Sequence, residues 1–241
     1  MDTIKPAHYT IHHNLNAIKA IKKGWDITIL RWPTYMLVTL VLIIMSFIIG
    51  FIPLIGYFLA VFMGLYIISL MLDIYEKNKE DPKLNFDKYI KFLGTNLLVA
   101  LIACGPMFIL VSIWGLYAFL VSAKGVDVNV INSATNTFSA VTTIIPILMG
   151  LSILLSLYMI IRLSFAQYLV VDKNINPLQA VKKSWQITRG NMWEVIYLFI
   201  IFFIMMIAGA LCIGIGLLFV LPVIYFATID AYKQMIGEAK H

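Results

Sequence analysis

Four charged residues stand at the ends of long apolar runs, where a charge has a high free-energy cost: Arg162, Asp73, Asp230 and Glu194. An ionisable group inside a bilayer is usually paired with an opposite charge or belongs to an ion or proton pathway. A buried Arg162 would need an acidic partner. We therefore predict that its guanidinium lies within hydrogen-bonding reach of a carboxylate, with Asp73 or Asp230 as first choice and Glu194 as second. The alternative is a guanidinium that extends to the lipid headgroups.

The two aspartates share a local pattern, since each stands two residues before a tyrosine, at Tyr75 and Tyr232. Such a pair could carry cations or protons, although aspartates in this setting more often cap helices or pair with lysine. The sequence contains none of the short motifs of serine hydrolases, zinc proteases or nucleotide-binding enzymes. We expect no catalytic residue, no metal site and no cofactor.

The composition indicates the class of protein. Of the 241 residues, 61% are hydrophobic and 12% are charged, and the mean hydropathy is +0.92. A soluble domain has about 25% charged residues. The net charge of +6 is spread among apolar runs. These values exclude a soluble globular domain and a disordered chain, and no interaction with nucleic acid is expected.

Six apolar segments are long enough to cross a membrane, because a hydrocarbon core of about 30 Å requires about 20 helical residues. We predict an all-α bundle of six transmembrane helices. The apolar residues after Arg162 predict that the fourth span continues past this arginine. The last two spans form one stretch, which we expect to fold back near Gly209, Gly214 and Gly216. The predicted spans are 34–51, 57–72, 92–121, 141–171 and two within 195–228.

The distribution of basic residues predicts the orientation. With alternating spans, 17 of the 18 lysines and arginines fall on one side of the membrane, and only Lys124 falls on the other. The positive-inside rule places the basic side, with both termini, in the cytoplasm. The expected location is the inner membrane of a bacterium.

Two segments outside the spans have the pattern of amphipathic helices. In the segment 14–28, Ile18, Ile21 and Trp25 share one helical face, and the lysines lie elsewhere. This pattern is typical of a helix in the membrane interface, although such a helix could also pack on the cytoplasmic face of the protein itself. The pattern recurs 160 residues later. The corresponding apolar residues there are Leu178, Val181 and Trp185.

The two segments also predict an internal repeat. Residues 20–28 and 180–188 are identical at six of nine positions. Each segment is followed by a further tryptophan and by a two-span hairpin that ends in Asp-x-Tyr. We predict one membrane domain with two parallel repeats. The predicted divisions of the domain 1–241 are repeat one at about 14–76, central spans at about 92–171 and repeat two at about 176–233. The expected interfacial anchors are Trp25, Trp32, Trp185 and Trp193.

The lysines of both segments indicate the partner. A lysine beside a membrane surface attracts anionic lipid with about 1 kcal/mol. The expected partner is therefore the lipid bilayer, and anionic lipid in particular, while a homo-oligomer or a protein partner stays open. The candidate headgroup contacts are Lys22, Lys23, Lys182 and Lys183.

The stretch from Arg162 to Asp172 contains the pattern R-x-x-F-A-x-Y, which continues through Pro177, Ala180, Ser184, Gly190 and Trp193. It resembles the group of bacterial integral membrane proteins that includes the YciC-like family and the membrane domain of glycerophosphoryl diester phosphodiesterases. The specific resemblance covers about 30 residues. It implies six spans and an inner-membrane location. It implies no phosphodiesterase activity, because the soluble domain that carries this activity is not in the sequence.

We therefore expect a non-enzymatic multi-pass membrane protein that supports membrane or envelope organisation through lipid contacts. The alternative is a transporter or permease for a small or lipid-like substrate, with its site between the repeats, and a lipid-modifying enzyme is a weaker one. A polar cavity at mid-membrane would favour transport, whereas a solid apolar bundle would favour the organising role.

Overall fold

The computed structural model describes residues 15–51, 55–76, 86–123, 135–212 and 214–238. Apart from short connections these residues are helical, and no strand occurs among them. The all-α prediction is confirmed for this part of the chain, while Lys124 and the four histidines lie outside it. The helices are α1 (Ala17–Leu30), α2 (Trp32–Gly50), α3 (Ile55–Glu76), α4 (Phe86–Ala123), α5 (Thr135–Leu163), α6 (Ala166–Lys173), α7 (Pro177–Arg189), α8 (Met192–Leu211) and α9 (Ile215–Met235).

Six helical segments in the described ranges are long and apolar enough to cross a membrane, as predicted. They are α2, α3, the greater part of α4, the segment that runs through α5 and α6, α8, and α9. Large hydrophobic side chains such as Phe47, Phe108 and Phe203 are exposed on these helices. Lipid is the solvent that such a surface requires, because helices satisfy their own backbone hydrogen bonds in the bilayer.

The chain divides into two compact units. The first comprises Met1–Asn96 and Arg162–His241, and it contains both segments of the predicted repeat. The second is Leu97–Ile161. It consists of apolar helix from α4 and α5, with Pro106 and Pro146 inside the helices. The eight charged residues that the sequence analysis named as candidates for membrane charges or headgroup contacts all belong to the first unit.

Helix α9 is the core helix of the first unit. Every residue from Phe226 to Lys233 is buried. A helix that is buried on all faces needs partners all round, and α1, α2, α3 and α8 pack against α9. One such contact joins the rings of Tyr35 and Phe226, whose centroids are 5.2 Å apart.

The predicted fold-back between the last two spans is confirmed. Gly214 has a φ of 76°, a left-handed conformation that glycine adopts without strain. A Cβ atom on Gly216 would lie 2.8 Å from the Cα atom of Gly209. Glycine at these positions therefore allows α8 and α9 to approach closely beside the turn.

The fourth span is interrupted directly after Arg162. Helix α5 ends at Leu163, a turn occupies Ser164 and Phe165, and α6 then begins. The fourth span therefore continues past Arg162 as predicted, although a turn divides it into two helices. The carbonyl oxygen of Arg162 accepts a hydrogen bond from Ser184 Oγ at 2.8 Å. Carbonyls at a helix end need such partners from outside the helix.

Candidate functional site

The inner side of α1 is a row of small residues. Ala17, Ala20, Gly24 and Thr28 are buried, and α1 packs along α9. The approach is closest at Gly24, where a Cβ atom would lie 2.6 Å from the carbonyl oxygen of Val223. Small residues permit this contact between helix backbones. We refer to Ala20, Gly24 and Thr28 as the small-residue row of α1.

The apolar flank of α1, defined by Ile18, Ile21 and Trp25, is not covered in the same way. Ile18 is 63% exposed and Trp25 is 44% exposed, although the Trp25 ring touches that of Phe219. At 3.6 residues per turn, this flank lies about a quarter turn from the small-residue row. Lys22 is exposed farther round the helix. Helix α1 therefore has three sides, of which one is packed on protein, one is apolar and one is basic.

Helix α7 has the same three sides. Its small-residue row consists of Ala180, Ser184 and Thr188, which are fully buried and match the row of α1 in sequence. This row packs through hydrogen bonds, since the hydroxyls of Ser184 and Thr188 face the carbonyl oxygen of Arg162 at 2.8 and 3.5 Å. Leu178, on the apolar flank of α7, is 63% exposed. The main support of α7 is α6.

The sequence predicts the ends of α7, with Asn176 as N-cap, Pro177 at the first helical position and Gly190 at the C-terminal end. The structure confirms all three positions. The order of these residues is typical, because proline suits the first helical turn and glycine the end of a helix. Helix α1 begins later than predicted, at Ala17, where the side chain of Asn16 accepts the N–H of Lys19 as an N-cap.

Two of the four candidate lysines point outward. Lys22 and Lys182 hold corresponding positions in the two helices, and both are exposed. Lys23 is half-buried, and its ammonium lies 5.7 Å from the centre of the Tyr75 ring. Lys22 and Lys182 form what we call the outward pair.

Lys183 resembles Lys23 in facing the protein. Burial lowers the pKa of Lys183, and the charge of Lys173 lowers it further, while Glu238 acts in the opposite direction. Lys183 is half-buried, as Lys23 is, whereas Lys22 and Lys182 are exposed. Lys23 and Lys183 form the inward pair.

Arg162 is buried, with 8% of its surface exposed. Its guanidinium carbon lies 4.7 Å from the centre of the Trp185 ring, and Nη1 donates to the Trp185 carbonyl at 3.4 Å. A guanidinium stacked on an indole gains cation–π stabilisation. Arg162 therefore connects the end of α5 to α7, and Trp185 contacts it. A carboxylate partner for Arg162, with Asp73 or Asp230 as first choice and Glu194 as second, stays a prediction.

The Asp-x-Tyr ends of the two hairpins meet. The Tyr75 hydroxyl donates to Asp230 Oδ1 at 2.5 Å, and Gln234 Nε2 donates to Asp230 Oδ2 at 2.6 Å. The Tyr232 hydroxyl donates to Asp172 at 2.7 Å. Asp230 Oδ1 thus joins α9 to α3, while Oδ2 bonds within α9, a structural role for this aspartate.

Glu194 lies at the beginning of α1. Its Oε2 atom accepts the N–H of Ala17 at 3.3 Å, and Gln234 Oε1 accepts the N–H of Asn16 at 2.8 Å. The first N–H groups of a helix have no partner within the helix, and a carboxylate there also interacts favourably with the helix dipole. Glu194 and Gln234, which follow α7 in the chain, therefore fix the start of α1.

The sequence did not point to Lys233, whose side chain is 3% exposed. Its ammonium lies 2.5 Å from Glu76, 3.1 Å from Asp172 and 3.2 Å from Glu238. Lys173 joins the same group at 2.8 Å from Glu238. We call these five residues the charge cluster. It links α3, α6, α9 and the residues after α9.

No metal site emerges among the described residues, in which no three His, Cys, Asp or Glu side chains are arranged to hold an ion. In the charge cluster, the three carboxylates are paired with the ammonium groups of Lys233 and Lys173. Trp32 and Trp193 stand at or beside the first residues of α2 and α8, and both are exposed. The ends of spans are where interfacial tryptophans concentrate.

The six apolar helices define a multi-pass membrane protein that is all-helical in its described part. Residues 83–239 match the family described as Domain of unknown function (DUF7847). Because this match covers more than half of the chain, the protein belongs to that family. The matched region contains all of α7 and begins after α1. No curated protein and no solved structure matches the chain.

Proposed function

We propose that this protein is a non-enzymatic membrane protein that organises its membrane through lipid contacts of α1 and α7. The observation that carries the proposal is the three-sided arrangement of both helices. One side is packed on the protein by the small-residue row, and Ile18 and Leu178 are exposed on the next side. A helix held in this way can offer its apolar flank to acyl chains and its lysines to headgroups at the same time.

The outward pair makes the principal headgroup contacts in this proposal. Lys22 and Lys182 are exposed and lie beside the apolar flanks, where a long side chain can reach the phosphate layer. The inward pair contributes less, because Lys23 and Lys183 are half-buried. Anionic lipid is the expected partner.

The proposed location is the inner membrane of a bacterium, with both termini in the cytoplasm. The excess of basic residues on one side of the predicted spans supports this orientation, and the resemblance to the YciC-like group agrees with the location. We also propose that the two repeats arose by duplication. The matching small-residue rows support this, since both are buried.

The packing around α9 favours the organising role over transport. A transport site between the repeats would need polar space in the middle of the first unit. The residues of α9 that lie there are buried, and apolar side chains such as Val223 and Phe226 are fully covered. Their burial supports a solid apolar core in the described part of this unit.

Lipid selectivity tests the proposal. The full-length protein in detergent is titrated with phosphatidylglycerol and phosphatidylcholine at low salt, and the bound lipid is counted by native mass spectrometry. The double variant Lys22→Gln/Lys182→Gln should weaken phosphatidylglycerol binding about thirtyfold, since each lysine near the surface contributes about 1 kcal/mol. Lys22→Arg/Lys182→Arg should retain it.

The inward pair supplies the matched control, because Lys23→Gln/Lys183→Gln removes the same charge from the same helices. We expect this variant to lose less than half as much binding free energy as the outward pair. Equal losses from both pairs would mean that only net charge counts. No loss from either pair would remove the electrostatic role and leave α1 and α7 as packing elements.

Topology is tested separately by cysteine labelling in intact cells. In a background with Cys104 and Cys212 replaced by serine, Val130→Cys should react with an impermeant reagent added outside. Pro82→Cys and Ile175→Cys should react only after the membrane is opened. Labelling of position 82 from outside would overturn the proposed orientation.

A further inference from the structure

An open depression of about 540 Å³ lies where α7 passes into α8 and where α1 begins. Its volume is within the range of small-molecule sites. The lining includes a cation, a carboxylate and an indole, from Arg189, Glu194 and Trp193. The depression is therefore a polar site beside the first residues of a membrane span, at the level where lipid headgroups are expected.

Arg189 provides the positive charge of this depression. It is the last residue of α7 and is exposed. Among the described residues it has no ion-pair partner. A guanidinium binds phosphate oxygens through two parallel hydrogen bonds, a geometry that lysine cannot offer.

Glu194 provides the negative charge. One of its oxygens accepts the N–H of Ala17, and a carboxylate has capacity for several further donors. A primary ammonium supplies such donors. Trp193, which is 85% exposed, stands beside both residues at the start of the span, where an indole packs against the glycerol and upper acyl region of a lipid.

We propose that the depression binds a zwitterionic headgroup of the phosphoethanolamine type, with the phosphodiester on Arg189 and the ammonium on Glu194. The inference rests on the proposed contact of this protein with lipid. The ligand and the site both differ from those of the outward pair, because Lys22 and Lys182 attract anionic lipid through their charge. A headgroup without an amine could still place its phosphate on Arg189, but it would bring no cation to the carboxylate of Glu194.

The test uses the full-length protein in detergent, titrated with phosphatidylethanolamine or phosphatidylglycerol, with native mass spectrometry as the readout. Arg189→Gln should weaken phosphatidylethanolamine binding about tenfold, because a charge-assisted hydrogen bond is lost. Arg189→Lys should recover part of the loss. Arg31→Gln, which removes an exposed arginine at the corresponding α1–α2 junction, is the matched control and should leave this binding unchanged.

Glu194→Gln separates the two halves of the headgroup. Glutamine can still accept the N–H of Ala17, so α1 should stay in place. This variant should weaken phosphatidylethanolamine binding severalfold and leave phosphatidylglycerol binding unchanged or stronger. Equal effects on both lipids, or full phosphatidylethanolamine binding in Arg189→Gln, would overturn the proposed site.

Glycerophosphoethanolamine distinguishes a membrane lipid from a soluble ligand with the same headgroup. Displacement of the lipid only by a large excess supports a lipid site, and displacement at equal concentration supports a soluble ligand of the same chemistry. The outward-pair variants are measured in parallel. If the outward-pair variants change phosphatidylglycerol binding while Arg189→Gln leaves phosphatidylethanolamine binding unchanged, the headgroup site is rejected and the proposed function stands. If Arg189→Gln weakens phosphatidylethanolamine binding while the outward-pair variants leave phosphatidylglycerol binding unchanged, only the proposed lysine contacts are rejected.

Discussion

Helices α1 and α7 have the same small-residue row but rest on different supports. At the middle of the row α1 has Gly24, which allows its backbone to touch α9 at Val223. Helix α7 has Ser184 at the matching position, and this hydroxyl binds the Arg162 carbonyl where α5 ends. The shared pattern thus determines which side of the helix packs on protein. The single difference between glycine and serine determines how it packs.

The outer sides of the two helices are more alike than their supports. Ile18 and Leu178 are equally exposed, and Lys22 and Lys182 are both exposed. At these positions a membrane would therefore meet similar residues in both helices, whereas Trp25 is exposed and Trp185 is half-buried beside Arg162. Variants of the contacts that hold each helix on the protein test the difference between α1 and α7 without altering their outer surfaces.

The largest effect should come from Lys233→Met, because the charge cluster joins the two supports. Lys233 belongs to α9, which carries α1, and Asp172 belongs to α6, which carries α7. Removing the cation takes one ion-pair partner from each of three carboxylates, of which Asp172 and Glu238 still face Lys173. We expect a loss of about 3 kcal/mol in the free energy of unfolding, the low end for a buried pair, because Glu76 and Glu238 are partly exposed.

Denaturation in detergent micelles measures this loss, and hydrogen exchange should show weaker protection in both α1 and α7. Lys91→Met is the control, since Lys91 pairs with the exposed Asp87 on the same helix and its hydrogen bonds to Asn174 are exposed as well. Such a pair contributes only about 0.3–0.5 kcal/mol. A loss of protection confined to one of the two helices would show that the cluster does not join their supports.

A smaller and more local effect is expected for Gly24→Ser, which gives α1 the residue found in α7. The new Cβ atom would lie 2.6 Å from the carbonyl oxygen of Val223 and 2.8 Å from the backbone nitrogen of Ala227, so the helices must separate. Overpacking of this kind costs about 2–3 kcal/mol. Hydrogen exchange should increase in α1 and stay unchanged in α7.

Gly50→Ser is the matched control, because nothing lies within 4 Å of a Cβ atom at that position. It should leave stability within about 0.5 kcal/mol of the parent. If Gly24→Ser has the same stability and the same hydrogen exchange as Gly50→Ser, α1 does not lie against α9 as described.

The smallest effect is expected for Ser184→Ala, which removes the polar contact of α7 and keeps its size. The lost hydrogen bond to the Arg162 carbonyl should cost about 1 kcal/mol, and the increase in exchange should fall on α7. Ser46→Ala is the control, since Ser46 bonds only locally to Leu42 on an exposed part of α2. Equal changes in both variants would contradict a supporting role for Ser184.

The sequence predicted the six spans, the glycine turn and the ends of α7, because these depend on length, hydropathy and residues with strong local preferences. It did not predict the small-residue rows, because alanine, glycine and threonine have intermediate hydropathy and mark neither an apolar nor a charged side of a helix. The charge cluster was also not predicted. Glu76, Asp172 and Lys233 lie far apart in the chain, and only the packing of α3, α6 and α9 brings them together.

The depth of α1 and α7 in a bilayer tests the central claim most directly. Nitroxide labels are attached singly at positions 18, 178, 26 and 186 of the protein in nanodiscs, and their contact with oxygen and with a water-soluble nickel complex is measured. Labels replacing Ile18 and Leu178 should contact oxygen in the lipid, and labels replacing Asp26 and Gln186 should contact nickel, because positions 26 and 186 are exposed on the side away from the small-residue row, about 80° round each helix from 18 and 178. Nickel contact at both 18 and 178 would show that the apolar flanks face water, which would contradict the proposed lipid contact.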